Sequence, residues 1–196
     1  MLTKKQQIIK RVFDFVISLF ALLVVIVPLM LLIVISTIST RQFGLFAQKR
    51  IGRQGYSFSC YKIRTLKGKS HQNINEIVSN ETNFGRWLRK SKLDELPQLF
   101  NVLFGSMSLV GPRPDIPGYA DLLKGDDRII LSLKPGITGP ATIKYKNEDE
   151  LLLEQENPNK FNDEVIWPDK VLINKQYILD WTLLKDLKYL FISVFE

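Results

Sequence analysis

A chain of 196 residues with 45% hydrophobic content has the size of one domain and is long enough to bury a core. Its 27 basic and 20 acidic side chains leave a formal charge of +7, which favours anionic partners: phosphates, nucleic acid or an acidic membrane face. One cysteine, Cys60, and one histidine, His71, exclude a disulfide framework and a thiolate metal site; they argue against a histidine-built hydrolase or zinc centre, because the polar run KGKSHQNINE makes His71 a solvated loop residue.

The first element is membrane-like. Residues 15–40, FVISLFALLVVIVPLMLLIVISTIST, carry no charge over 26 positions. As a helix they reach about 39 Å, against a hydrocarbon core of about 30 Å. The stretch is too long for a cleaved signal peptide, and no small-residue cleavage site follows it. Lys4, Lys5, Lys10 and Arg11 precede it, and Arg41, Lys49, Arg50 and Arg53 follow it. The positive-inside bias cannot place both ends of one spanning helix on one side, whereas a re-entrant hairpin can. Pro28 sits near the midpoint, where it frees the carbonyl of Val24 and offers a bend between two arms of about 13 residues, each about 20 Å long. The expectation is a helix-break-helix in one leaflet over residues 1–40, with a kinked spanning helix as the alternative.

The segment Phe46 to Leu66 has two partly alternating runs around GRQG and reads as a β-hairpin. A polar linker, Lys67 to Asn83, leads into FGRWLRKSK. There Arg86, Arg89, Lys90 and Lys92 surround Trp87 and Leu88, as in a helix lying on an anionic membrane surface or in one with a solvated basic face.

Next comes SKLDELPQLFNVLFGSMSLVGPRP, Ser91 to Pro114, the segment that carries chemistry. A proline is tolerated where its missing N–H is already an orphan of a helix start, so Pro97 places the cap of an LFNVLFG helix between Leu93 and Leu96. Asp94 and Glu95 then lie at that helix's N-terminus, where ionised carboxylates are favoured and phosphate is attracted. Neighbouring side chains on a helix diverge by about 100°, so the two acids need not share a role. One suits a nucleophile and the other a magnesium ligand, since Mg2+ binds through one or two carboxylates plus substrate phosphates. Arg89 lies upstream, and Arg113 sits in GPRP on a stiff turn suited to bidentate phosphate contact. The plainer alternative is an N-cap Asp94 with Arg113 as a surface partner.

Beyond Pro114 the expectations are a helix from Tyr119 to Lys124, a loop at KPGITGPA, and a polar helix with a terminal loop in KYKNEDELLLEQENPNKFNDE. In NKQYILDWTLLKDLKYLFISVF, Leu184, Leu187, Phe191 and Val194 share one helical side, to pack on the core or rest on lipid. The fold class is α+β and mostly helical. A compact domain over 41–196 carries the small hairpin and membrane-surface amphipathic helices.

Taken together, KRVFDFVISLFALL with its proline-broken apolar segment, AQKRIG, YKIRT, KLDELPQLFNVLFGSMSLVGPRP and KPGITG resemble the small monotopic polyprenyl-phosphate phosphoglycosyl transferases, or bacterial sugar transferases. The match covers nearly the whole chain. The resemblance implies a ping-pong transfer in which Asp94 attacks the β-phosphorus of a UDP-sugar, expels UMP and holds the phosphosugar until a polyprenyl (undecaprenyl) phosphate takes it. Glu95 is implied as the Mg2+ ligand, Arg89 and Arg113 as phosphate-stabilising groups, and Lys62 and Arg64 of YKIRT as weaker ones. It also implies the cytoplasmic face of a bacterial inner membrane and a first membrane step of surface glycan assembly. It leaves open a homodimer, the sugar and the glycan.

Two departures stand out. Val27, not a serine, precedes Pro28, and PATIKYKNEDE replaces the Gln and Asn-Gly-Arg many relatives carry, with Lys144 and Lys146 as candidate stand-ins for that arginine and neither assigned to it. The length fits the small members, without the extra membrane helices of larger ones. Two other readings are a membrane-anchored basic binding protein and a UDP-sugar hydrolase. No spacing for nucleic-acid recognition is present.

Overall fold

The computed structural model describes residues 2–68, 76 and 79–195. His71 and most of the polar linker lie outside them. The described chain is mostly helical, as the composition and patterning led one to expect, and it carries two two-stranded sheets where one hairpin was expected. It divides into two compact units. One comprises Met1–Asp14, Arg50–Phe58 and Gly105–Glu196, and the other Phe15–Lys49 and Ser59–Phe104. This division concerns compactness, and the 1–40 and 41–196 division concerns membrane and water.

Helix α1 (Lys4–Thr40) is one uninterrupted helix of 37 residues with Pro28 inside it. At 1.5 Å per residue it is about 55 Å long. It starts earlier than the apolar run, at Lys4, and two of the charges in this early part are buried. Lys10 and Asp14 are 5% and 2% exposed. Further along, the buried positions Ser18, Leu22, Leu29 and Ser36 follow one narrow stripe at four- and seven-residue spacing. Phe20, Leu23, Val24, Val27 and Met30 are each more than 60% exposed. An apolar outer surface of that extent marks a membrane-facing helix and not the core helix of a soluble domain.

In the Phe15–Lys49 and Ser59–Phe104 unit, α1 ends against the sheet. Ser36 Oγ donates to the Arg64 carbonyl, and the Gly44 amide donates to Thr37 Oγ1. The expected hairpin is present: β1 (Leu45–Ile51) and β2 (Ser57–Ile63) pair, and a tight turn at Arg53–Gly55 joins them. Gln54 and Gly55 supply the positive φ that such a turn needs. Helix α2 (Asn83–Lys90) is capped by Thr82, whose Oγ1 accepts from the Gly85 amide at 2.8 Å. Helix α3 (Gln98–Phe104) closes the unit. Its core is Leu29, Ile63 and Leu88, with Leu93, Leu96 and Phe100 packed against them.

The other unit contains a sheet that the sequence hid. β3 (Ser108–Val110) pairs in parallel with β4 (Gly136–Thr138), where only a loop was expected at KPGITG. The expected helix from Tyr119 to Lys124 shrinks to one 3-10 turn, Ala120–Leu122. Gly118 in the left-handed region breaks the preceding backbone, and its amide is taken by Asp121 Oδ1. Then follow α4 (Pro140–Lys144), α5 (Glu148–Leu153), α6 (Pro158–Phe161), a π-helical turn at Asn162–Ile166, α7 (Trp167–Leu179) and α8 (Leu183–Phe195). Leu184, Leu187, Phe191 and Val194 of α8 are 44–77% exposed, so that face does not pack on the core. The opposite side of α8 carries Asp186, fully buried. It accepts from Lys10 Nζ at 2.5 Å, Tyr177 Oη at 2.6 Å and Trp181 Nε1 at 3.1 Å, joining the start of α1 to α7 and α8.

Candidate active site

Asp94 and Glu95 occupy a 3-10 turn, Leu93–Glu95. They do not ride in the first turn of α3, as the sequence suggested. Pro97 does bar the helix from extending upstream, and α3 begins at the next residue. The reason for the separate turn is the pair of leucines flanking the acids. Leu93 and Leu96 both pack on the Leu29, Ile63 and Leu88 cluster. Residues three apart eclipse one another only in the tighter 3-10 winding. Lys92, at φ 58, reverses the chain out of α2 into this turn, an uncommon conformation for a side chain of its size. The Glu95 amide closes the turn on the Lys92 carbonyl at 3.2 Å.

Both acids are 7% exposed. A carboxylate so placed is costly to ionise unless a cation or donor meets it. Lys62 Nζ reaches Glu95 Oε1 at 2.9 Å, with side chains 16% and 8% exposed. Lys62 arrives there because Asn101 of α3 fastens the neighbouring stretch of β2: its Nδ2 donates to the Ser59 carbonyl at 2.8 Å and its Oδ1 accepts from the Tyr61 amide at 3.0 Å. Asn101 was not among the expected site residues. Its signal was a lone amide in the apolar LFNVLFG.

Lys62, taken as a weaker candidate, is paired with Glu95 of the acid turn. Arg89 Nη1 lies 3.7 Å from Glu81 Oε1, whose other oxygen takes Arg86 Nε at 3.0 Å. Arg64 Nε donates to the Phe43 carbonyl at 3.0 Å, and its guanidinium stands 5.3 Å from the Phe46 ring centre.

Arg113 belongs to the other unit, and its turn is rigid for a reason the sequence concealed. GPRP and GITG form two halves of one structure: the Gly111 amide donates to the Thr138 carbonyl at 2.9 Å, and the Gly136 amide to the Pro112 carbonyl at 2.8 Å. A Cβ on Gly136 would fall 2.1 Å from the Gly111 nitrogen, so no other residue fits. Arg50 Nη1 and the Ile51 amide bind the Pro114 and Asp115 carbonyls. Beside Arg113, burial pushes the Asp115 carboxyl up to about 6, against the opposing pull of Lys170, Arg50 and Arg113. Asp115 too was not anticipated. Lys144, a suggested arginine stand-in, is paired at 2.7 Å with Asp169, the oxygen that also accepts from Tyr145 Oη.

The acid turn offers two buried carboxylates, and Glu95 is tied to a lysine. Among the described residues no cluster of three or more His, Cys, Asp or Glu forms a closed metal cage. Two adjacent carboxylates nevertheless fit Mg2+, which takes most of its remaining ligands from water and phosphate.

A family model for bacterial sugar transferases matches residues 5–196. The chain is 31% identical to the undecaprenyl-phosphate galactose phosphotransferase of Salmonella typhimurium, over 96% of this chain and 40% of that protein. It is 32% identical to the UDP-glucose:undecaprenyl-phosphate glucose-1-phosphate transferase of Klebsiella pneumoniae, again over 96% of this chain and 40% of the relative. To the uncharacterized sugar transferase EpsL of Bacillus subtilis it is 33% identical, over 95% of this chain and 86% of that protein. The chain thus spans about two fifths of the length of the first two relatives and most of the third.

Proposed function

The chain belongs to the bacterial sugar transferase family, and from that premise we propose that it transfers a sugar 1-phosphate from a UDP-sugar to undecaprenyl phosphate. The products are UMP and undecaprenyl diphosphate sugar. The observation that carries this reading is the acid turn, two buried carboxylates held by Leu93 and Leu96 with Glu95 paired to Lys62.

The reaction runs in two displacements. An Asp94 carboxylate oxygen attacks the β-phosphorus, the bond from that phosphorus to the bridging oxygen breaks, and UMP leaves with the oxygen. A phosphate oxygen of the lipid acceptor then attacks the same phosphorus and the Asp94–phosphorus bond breaks, restoring the carboxylate. Splitting the exchange lets a water-soluble donor and a lipid acceptor use one carboxylate in turn. Glu95, oriented by Lys62, would hold Mg2+, which when bound would supply positive charge to offset that of the diphosphate. Positioning and charge stabilisation carry the rest of the barrier, and Arg113 on its stiff turn and Arg89 are the cations assigned to phosphate oxygens.

The apolar outer surface of α1 and the basic residues at both its ends support a re-entrant helix, bent at Pro28, in the cytoplasmic leaflet of a bacterial inner membrane. There the acceptor phosphate reaches the site without leaving the bilayer. The reaction supplies the lipid-linked sugar with which surface polysaccharide assembly begins. The test is UMP release from a panel of UDP-sugars with Mg2+, with and without undecaprenyl phosphate. Sustained release only with the acceptor is expected. Sustained release without it marks a hydrolase, and no release from any donor marks a non-catalytic binding protein.

A further inference from the structure

At the start of α1 lies a cavity of about 420 Å3, bounded within the unit that holds Gly105–Glu196. Five cations line it, Lys4, Lys10, Arg11, Arg53 and Lys134, against one carboxylate, Asp14. Three of these groups have partners in the fold: Lys10 is paired with Asp186, Arg53 Nη2 donates to Gln7 Oε1 at 3.2 Å, and Asp14 Oδ1 accepts from the Leu109 amide at 3.0 Å. The lining still carries a clear excess of positive charge. Arg11 and Lys134 both line it, and their side-chain ends lie close together beside Gly105. At φ 87 it has no side chain, and a Cβ there would lie 3.2 Å from both Arg11 Nη2 and Lys134 Nζ. Burial holds the Lys134 ammonium below the usual lysine range, and nearby Arg11 adds to the effect. Ser132 also lines the cavity, and its buried Oγ has no hydrogen-bond partner.

A guanidinium, an ammonium and an unspent hydroxyl around one space form a donor set for phosphate oxygens. The remaining wall is apolar. Ile8 and Val12, one helical turn apart on α1, are 64% and 57% exposed and line the same cavity. A free phosphate ion makes no use of such a wall, whereas a phospholipid covers it with its chains. We propose that this cavity binds the phosphate group of an anionic phospholipid through Arg11, Arg53, Lys134 and Ser132, with the acyl chains beside Ile8 and Val12. The lipid fixes the depth at which α1 begins. None of Asp94, Glu95 and Lys62 lines the cavity, so the inference stands apart from the proposed reaction.

The test titrates the detergent-purified full chain with dihexanoyl phosphatidylglycerol, dihexanoyl phosphatidylcholine and inorganic phosphate, followed by thermophoresis. The glycerol lipid is expected to bind at least tenfold more tightly than the choline lipid, and phosphate more weakly than either lipid. The double variant R11Q/K134Q is expected to lose at least tenfold in affinity for phosphatidylglycerol while its affinity for phosphatidylcholine holds. Arg53 is exposed, so R53Q, which does not threaten folding, should move in the same direction by a smaller factor at unchanged Tm. K134R should keep most of the affinity. Equal affinity for the two lipids, or undiminished phosphatidylglycerol binding in R53Q and a folded R11Q/K134Q, overturns the proposal. Inorganic phosphate binding as tightly as the anionic lipid overturns the lipid as its source.

Discussion

Replacing Asp186 by Asn tests what joins the first turns of α1 to the end of the chain. Asp186 is fully buried and accepts from Lys10, Tyr177 and Trp181. Lys10 Nζ is 2.5 Å away, and its side chain is 6% exposed. Asparagine keeps the shape but removes the charge and turns one acceptor into a donor facing a donor. Lys10 is left as a buried cation without its paired carboxylate, with Asp14 one helical turn along as the remaining nearby opposite charge, a loss of about 3–5 kcal/mol. For a chain of this size that corresponds to a fall in Tm of roughly 6–20 °C. The assay is thermal unfolding in detergent followed by tryptophan fluorescence, for D186N, K10M and the double variant K10M/D186L. Because the desolvation cost of both ions disappears together, the double variant should be less destabilised than either single one. A D186N cost under about 1 kcal/mol, or single effects that simply add, would refute the reasoning.

Asn101→Leu removes both hydrogen bonds to β2 and leaves the Tyr61 amide and Ser59 carbonyl unsatisfied, so it should destabilise by about 2–4 kcal/mol and lower kcat more than it raises KM, read by unfolding and by UMP release. Glu95→Gln should raise the Mg2+ concentration for half-maximal UMP release at least tenfold, on the order of 1.4 kcal/mol or more, and an unchanged metal dependence removes Glu95 from that role. Asp115 has its folded-state carboxyl raised to about 6, above the unfolded value of 3.8. The folded chain therefore binds more protons between those values, and its stability falls as pH rises through about 6. Asp115→Asn removes that fall, so its stability relative to the parent should rise between pH 4 and 7 by about 2 kcal/mol, followed as the pH dependence of the difference in Tm. A pH-independent difference would contradict the assignment.

Local patterns were legible in the sequence, and long-range partners were not. GRQG marked the β1–β2 turn because its positive-φ demand is local. Pro97 marked the start of α3 for the same kind of reason. The winding of the acid turn was not legible, because it follows from where Leu93 and Leu96 find their core, and Leu29 of that core lies far upstream. Lys10 reads as one more basic flank residue until Asp186, 176 positions away, meets it. The GPRP and GITG segments each look like turns, and only the pairing of Ser108 with Gly136 and Val110 with Thr138 makes the parallel β3–β4 sheet on which the Arg113 turn rests. The apolar side of α8 was visible by its period, but periodicity alone does not tell an inward face from an outward one.

The most direct measurement of the central claim is the intact mass of the protein after incubation with a reactive UDP-sugar and Mg2+ in the absence of lipid acceptor. The parent chain should gain the mass of one sugar phosphate and release one UMP per active site, and undecaprenyl phosphate should then discharge it. D94N should gain nothing and release no UMP. Normal turnover by D94N, or parent turnover in which no phosphosugar adduct forms, would contradict Asp94 as the nucleophile.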